Sequence, residues 1–518
     1  MRKSTLLFAA PILLLLLLSG CATNPVTGQK ELALIPESME ISLGEENYSP
    51  TQQTQGGQYN VDAALTEYVN GIGQKLAKVS DRPNLPYEFV VLNNSEPNAW
   101  ALPGGKIAVN RGLLTELENE AELAAVIGHE IVHAAARHGA KSMERGMLLQ
   151  VGVIAVGVAA SDHELSDVIV GGAALGAGLV AQKYSRGAEL ESDHYGIKYM
   201  AKAGYDPYAA VTLQEKFVKL AGERRVNWLE GLFASHPPSQ ERVEANKKLA
   251  AELPKGGFLG REEYQKRIAH LKKTETAYKQ LDEGRQVLEK NDHAKALKLA
   301  EQAIAVEPRE AMFHGLKGDA LFQRGDFASA RSAYDQAIAR NGGFFQFWLQ
   351  RGLVREKLGD ASGARTDLEK SNTLLPTAVA HNSLGKLALN AGDRSGAMQH
   401  FTAASESDSG VGREAAAQLA RLDLPSNPGR YLATDSGLDR NGRVVVALKN
   451  NAALAVRDVQ LRVRVFDQSG RVLGQQQLRI AGPLAAGRSV QQTTGIGPVD
   501  PKTIKGIEVT VQGARLAE

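Results

Sequence analysis

Between residues 277 and 410 small residues return at a fixed step. Gly284, Gly318, Gly352 and Gly385 stand 34, 34 and 33 positions apart, and Asp292, Asp326, Asp360 and Asp393 keep the same step. So do Ala296, Ala330, Ala364 and Ala397. A unit of this length cannot bury its apolar face alone, so like units must stack, and small residues fall where paired helices cross. The period predicts four helix–turn–helix units, with the array filling 277–424.

The segments on either side differ in kind. Upstream, 61–255 reads as mixed α and β. An amphipathic helix carries Leu65, Val69, Ile72 and Leu76, followed by strand-like stretches at Tyr87–Leu92 and Lys106–Asn110. One long helix is expected from about Thr115 to Met147, on the stripe Leu117, Ala121, Ala124, Val126, Ile127, Ile131 and Val132. Residues 256–276 read as a linker helix. Downstream of Pro425–Gly429 the pattern switches to period two. Strands are expected at Arg443–Leu448, Val459–Phe466, Arg471–Ile480, Arg488–Thr494 and Gly506–Val511, forming a small antiparallel β-sandwich over 430–518. The net charge of +2, with no basic stripe interleaved with aromatics, speaks against a nucleic-acid partner.

The N-terminus reads as an export signal. Met1-Arg2-Lys3 is basic, Leu6–Leu18 is apolar, and Leu18-Ser19-Gly20-Cys21 closes the segment with the single cysteine of the chain. Small residues before that cysteine resemble a bacterial lipobox. This implies a signal peptide over 1–20, acylation of Cys21 and a membrane partner through the lipid. Ala22 rather than Asp after the cysteine favours the outer membrane. Residues 21–60 read as a tether with one short helix near Pro36–Asn47. Two Gly- and Ala-rich apolar runs, Met147–Ala160 and Val168–Ala181, are 14 residues each, short of the roughly 20 a spanning helix needs. They read as a buried or surface-lying helical hairpin, a membrane-dipping pair being the alternative.

The chemistry concentrates in His129-Glu130-Ile131-Val132-His133. Two imidazoles four residues apart on a helix share one face and can bind one zinc ion. Glu130 beside them can take a proton from a metal-bound water and pass it to a leaving amine. The motif sits inside an apolar stripe, where such groups are costly without partners. A third ligand is needed. His138 lies nearly opposite His133 on a continuous helix, so Glu189 is the better candidate. Asp193, one turn on, shares its face and can fix the tautomer of a ligand histidine. Glu191 points away from that face. His163, His194, His270, His293, His314, His381 and His400 fall outside any ligand spacing.

Several motifs together resemble the gluzincin family of zinc metallopeptidases that includes HtpX, in its periplasmic BepA-like branch. They are Asn98-Ala99-Trp100-Ala101-Leu102-Pro103-Gly104-Gly105, the His-Glu-Ile-Val-His run, Glu189-x-x-x-Asp193 and Asn24-Pro25-Val26-Thr27-Gly28. The downstream array resembles tetratricopeptide repeats. The implied fold is multidomain and mainly α: an α+β zincin-type peptidase domain, helical repeats and a terminal β-sandwich. The resemblance implies one Zn2+ per chain, held by His129, His133 and Glu189, and internal cleavage of protein or peptide substrates. Lys106, Ile107, Ala108, Val109 and Asn110 could form an edge strand that pairs with an extended substrate. In the stiff loop Ser235–Arg242, His236 could stabilise an oxyanion or occupy the open metal position as a latch; the resemblance favours the latch. Arg242 would anchor that loop. The repeats would bind clients or outer-membrane assembly machinery, placing the chain in periplasmic quality control. Two rivals keep the zinc site: a chaperone or scaffold that rarely cleaves, and a membrane-embedded processing protease.

Overall fold

The computed structural model describes residues 21–152, 178, 180, 183–222 and 230–517. The expected leader, His163 and most of the apolar pair at 147–181 lie outside them. No helix of the described residues is long and apolar enough to cross a membrane. The described residues divide into two units, one ending at Leu375 and one starting at Pro376.

The first unit opens with a hairpin of β1 (Cys21–Thr23) and β2 (Lys30–Leu32). Asn24 closes it: its side-chain oxygen accepts from the N–H groups of Val26 and Thr27, at 2.8 and 3.2 Å. Helix α1 (Glu37–Thr54) runs a further two turns beyond the expected end, and α2 (Ala63–Ala77) starts on an Asp62 cap. A three-stranded sheet follows, built from β3 (Glu88–Leu92), β4 (Ala99–Leu102) and β5 (Lys106–Asn110). Its order is β3-β5-β4, with β5 parallel to β3 and antiparallel to β4. This corrects the expectation for Lys106, Ile107, Ala108, Val109 and Asn110. They form the central strand, buried throughout and paired on both sides, so their backbone is not open to a substrate. The edge beside the metal-motif helix is β4, a strand not expected from the sequence.

The single long helix expected over 115–147 is three: α3 (Arg111–Glu116), α4 (Glu120–Ala135) and α5 (His138–Gly152). Asn119 caps α4 by accepting from the Glu122 N–H. Between α4 and α5 the chain turns at Arg137, whose φ of 61° is left-handed. That conformation is unfavourable for a residue with a Cβ. It is pinned by Arg137 Nε on Glu40 Oε2 at 2.9 Å and by the guanidinium on the Ile35 carbonyl. Helix α6 (Arg186–Lys202) crosses α4 at two glycines. A Cβ on Gly196 would sit 2.9 Å from the His129 backbone nitrogen, so only glycine lets the helices close to this distance. Helices α7 (Tyr208–Gly222), α8 (Glu230–Ser235) and α9 (Gln240–Glu252) complete this part.

The repeats begin with α10 (Arg261–Arg267) and α11 (Ala269–Glu289), which runs through the expected linker boundary. They continue with α12 (His293–Val306), α13 (Ala311–Gln323), α14 (Phe327–Arg340), α15 (Phe345–Lys357) and α16 (Ala361–Leu374). The periodic aspartates and glycines now have a mechanical reason. Asp292, Asp326 and Asp360 are N-caps that accept from the N–H groups of Lys295, Ser329 and Gly363. A Cβ on Gly318 would come within 2.6 Å of the Tyr334 ring, and one on Gly352 within 2.8 Å of Leu368. The repeats are bonded to the peptidase-like part within this unit. Asn93 donates to Glu310 at 3.0 Å, Arg111 stacks over the Tyr278 ring at 3.4 Å, and Gln53 bridges Gly343 and Phe345. A cavity of about 840 Å3 opens beside this seam, lined by Gln53, Asn94, Arg285, Asp319, Phe322 and Gln346.

The second unit holds α17 (Ala378–Asn390), α18 (Arg394–Ala404), α19 (Gly410–Asp423) and two three-stranded antiparallel sheets. Asp393 caps α18 as its counterparts cap theirs. One sheet orders β10 (Ser489–Thr493), β7 (Val444–Asn450) and β6 (Leu432–Leu438). The other orders β11 (Ile504–Leu516), β8 (Val456–Asp467) and β9 (Val472–Ile480). Val444, Val446 and Leu448 alternate into the same core as Val459, Leu461, Val463 and Val465. Strand β6 was not among the expected strands.

Candidate metal centre

Helix α4 presents His129, Glu130 and His133, and α6 brings Glu189 against them. The Nε2 atoms of His129 and His133 face each other at 3.0 Å. Glu189 reaches both, with Oε2 at 3.5 Å from His129 Nε2 and Oε1 at 3.4 Å from His133 Nε2. His236, at the end of α8, adds Nδ1 at 3.3 Å from His129 Nε2 and 3.1 Å from Glu189 Oε1. The four donors lie within 4.8 Å of one another, and all four residues are buried.

These distances suit a divalent cation. Tetrahedral zinc with bonds of about 2.0–2.1 Å separates its donors by roughly 3.3 Å. Two imidazoles and a carboxylate are a zinc-type set. The two imidazoles divide their roles. Burial alone would lower His129; the Glu189 and Asp193 carboxylates override it and carry the imidazole up to about 10. Burial holds His133 well below its ordinary value. Glu189 stays far below the usual carboxylate range because His129 and His236 outweigh its own burial. A cation held by these residues would take over the charge that the His129 proton supplies, and its binding would release a proton.

Both ligand histidines are held from behind. His129 Nδ1 lies 2.8 Å from Asp193 Oδ1. Arg242 donates to both Asp193 oxygens at 2.7 Å, to the Pro237 carbonyl at 3.2 Å, and pairs with Glu189 at 2.9 Å. His133 Nδ1 lies 2.9 Å from His138 Nδ1, and its ring stacks on Tyr184 with centroids 3.9 Å apart. Glu130 is buried, its Oε2 has no hydrogen-bond partner, and its Oε1 sits 3.6 Å from His236 Nε2. Burial pushes the Glu130 carboxyl up, against the His236 and His129 charges. A small cavity of about 60 Å3 adjoins Glu130, walled by Val126, Leu213, Phe217 and Leu232. Gln214 lies on it, with a buried Nε2 that lacks a partner.

The structure thus brings together His129, Glu130, His133, Glu189, Asp193, His236 and Arg242 from three helices and one loop. It does not open Lys106–Asn110 to the site, and it places Cys21 in β1 opposite Leu32. Sequence reasoning missed Tyr184, Gln214 and the contact of His138. Helical spacing places His138 opposite His133 only for an unbroken helix; the turn at Arg137 swings it back.

A buried two-histidine, one-glutamate donor set with a neighbouring glutamate on a helix is the centre of a zinc-type metallopeptidase domain. The comparisons agree. Residues 63–250 match peptidase family M48, and residues 281–343 and 316–378 match the tetratricopeptide repeat. The chain carries an M48 peptidase domain followed by tetratricopeptide repeats. It is 30% identical over 208 residues to a putative beta-barrel assembly-enhancing protease of Vibrio cholerae, covering 37% of this chain and 40% of that one. It is 34% identical over 166 residues to the mitochondrial metalloendopeptidase OMA1 of Arabidopsis thaliana, covering 32% of each. The matched stretch thus spans less than half of either relative. Among solved structures, MamA is similar at 20% identity and a TM-score of 0.25, covering 33% of this chain and 92% of that one.

Proposed function

We propose that this chain is a zinc metalloendopeptidase of the bacterial envelope, tethered through an acylated Cys21 to the periplasmic face of the outer membrane. The observation that carries the reading is the meeting of His129, His133 and Glu189 around one point, with the unbonded Oε2 of Glu130 beside it. Those three residues would hold the cation. When bound, it polarises a peptide carbonyl and acidifies water. Glu130, its proton affinity raised by burial, takes the proton of the attacking water and delivers it to the leaving amine. The small cavity takes one modest apolar side chain, and the free Gln214 amide donates to a carbonyl.

His236 supports the latch reading, because its Nδ1 stands among the metal donors. That position also favours a second function, a chaperone-like scaffold with a resting site. The repeats hold clients or assembly factors; the relatives named beta-barrel assembly-enhancing proteases support an envelope role. The test is zinc content and casein cleavage for wild type, Glu130→Gln and His236→Ala. Glu130→Gln retains zinc and loses cleavage by at least ~100-fold, and His236→Ala cleaves faster. Cleavage by Glu130→Gln at the wild-type rate refutes the mechanism, and loss of cleavage in His236→Ala moves that residue to the oxyanion role.

A further inference from the structure

His129 and His133 are oriented by different devices. Behind His129 stands an anion, Asp193, locked by Arg242. Behind His133 stands another imidazole, and the proton positions there follow from elimination. His133 Nε2 faces His129 and Glu189 and must carry a lone pair to bind a cation. Its proton then sits on Nδ1, which donates to His138 Nδ1 at 2.9 Å. His138 must accept there, so its own proton sits on Nε2. That atom lies 3.4 Å from Glu191 Oε1, a buried oxygen with no hydrogen bond of its own. With a lone pair on His133 Nε2, this placement of protons satisfies both imidazoles and the Glu191 oxygen.

The N-terminus is joined to this row through α5. Asn24 is the residue that closes the β1–β2 turn and donates to Glu31 at 2.9 Å. The segment around it is fastened along α5, the helix that starts with His138. Glu31 pairs with Lys141 at 2.7 Å, and Glu144 accepts from the N–H groups of Leu34 and Ile35, each at 2.9 Å. The strained turn at Arg137 is pinned by the Ile35 carbonyl and Glu40. Removing this segment would remove what bends the chain toward His133.

We propose that His138 and Glu191 are positioning residues that fix the tautomer of His133, and that the N-terminal segment, fastened along α5, anchors His138. The N-terminal segment is thereby a structural part of the metal centre, although it stands more than 100 residues from the ligands in sequence. The inference rests on the reading of His129, His133 and Glu189 as metal ligands.

The test is Co2+ and Zn2+ affinity of the full chain with the visible spectrum of the Co2+ form. The variants are His138→Leu, His138→Asn, Glu191→Leu and Asn24→Ala. His138→Leu removes the acceptor and lowers affinity by about 10–100-fold, with a changed Co2+ spectrum. His138→Asn restores an acceptor and recovers most of the affinity, which a role in packing alone would not give. Glu191→Leu follows His138→Leu, and Asn24→Ala shows the same spectral change to a smaller degree. Wild-type affinity and spectrum in His138→Leu overturn the proposal. So does a His138→Asn form that folds, judged by its far-ultraviolet circular dichroism, yet binds no better than His138→Leu. Failure of the wild-type chain to bind either ion overturns the metal reading itself, and this arm with it.

Discussion

Replacing Arg242 with Met is the most quantitative probe of the centre. The guanidinium is buried and makes two 2.7 Å bonds to Asp193, one of 3.2 Å to the Pro237 carbonyl and a 2.9 Å pair with Glu189. Methionine keeps much of the volume and leaves two carboxylates without their cation. Hydrogen bonds to charged groups contribute about 1.5–3 kcal/mol each, and breaking one side of a buried ion pair costs ~3–5 kcal/mol. The metal-free variant therefore loses about 3–5 kcal/mol at pH 7. The loss depends on pH with a definite sign. Burial would raise the Asp193 carboxyl, and the Arg242 charge outweighs it, so its folded pKa lies below the unfolded value. The stability this supplies is complete above about pH 4, the unfolded value, and fades as pH falls through the lower folded value. In the variant only His129 still opposes burial, so the carboxyl is protonated at higher pH than in the wild type and the two proteins converge on acidification. The assay is urea unfolding of metal-free protein, followed by tryptophan fluorescence between pH 7 and 4, alongside Zn2+ affinity, which should fall by roughly 10–100-fold. A stability difference below ~1 kcal/mol that does not change over this range would refute the account, since a solvated pair behaves so.

Gly196→Ala places a Cβ 2.9 Å from the His129 backbone nitrogen and forces α6 away from α4. Zinc affinity should drop by at least ~10-fold while the repeats keep their helical content, read by equilibrium dialysis and circular dichroism. Asp319, beside the large cavity, is raised to about 6 by burial, against the Tyr334 hydrogen bond. Its charged form therefore opposes folding above pH 6, and the penalty lifts as pH falls toward 4. Asp319→Asn should add about 1–2 kcal/mol at pH 8 and almost nothing at pH 4, measured by urea unfolding. Asp326→Ala removes a cap and should cost ~1 kcal/mol, seen as earlier unfolding of the repeats by hydrogen exchange.

Local chemistry was legible in the sequence and non-local topology was not. The periodic aspartates, alanines and glycines declare themselves because capping and helix crossing are decided within one unit. His129, Glu130, His133, Glu189 and Asp193 are legible because helical spacing alone places them on common faces. His138 is not: its position depends on a left-handed Arg137 stabilised by Glu40 and Ile35, about 100 residues away. The same holds for β5, whose central place follows from pairing with both β3 and β4, which a strand cannot advertise in its own residues. Strand β6, Leu-Ala-Thr-Asp-Ser-Gly-Leu, carries little β-branched signal and exists because β7 offers it a partner along its length.

The bonds joining Asn93, Arg111 and Gln53 to Glu310, Tyr278 and Gly343 have a geometric consequence. They tie the repeats directly to the peptidase-like part within one unit. A polypeptide gripped at the helices of residues 269–374 would present the cleft with whatever lies one set span further along its contour. Such a device measures its substrate as a jig measures stock, and its cut sites would be ordered by distance from the grip more than by local sequence.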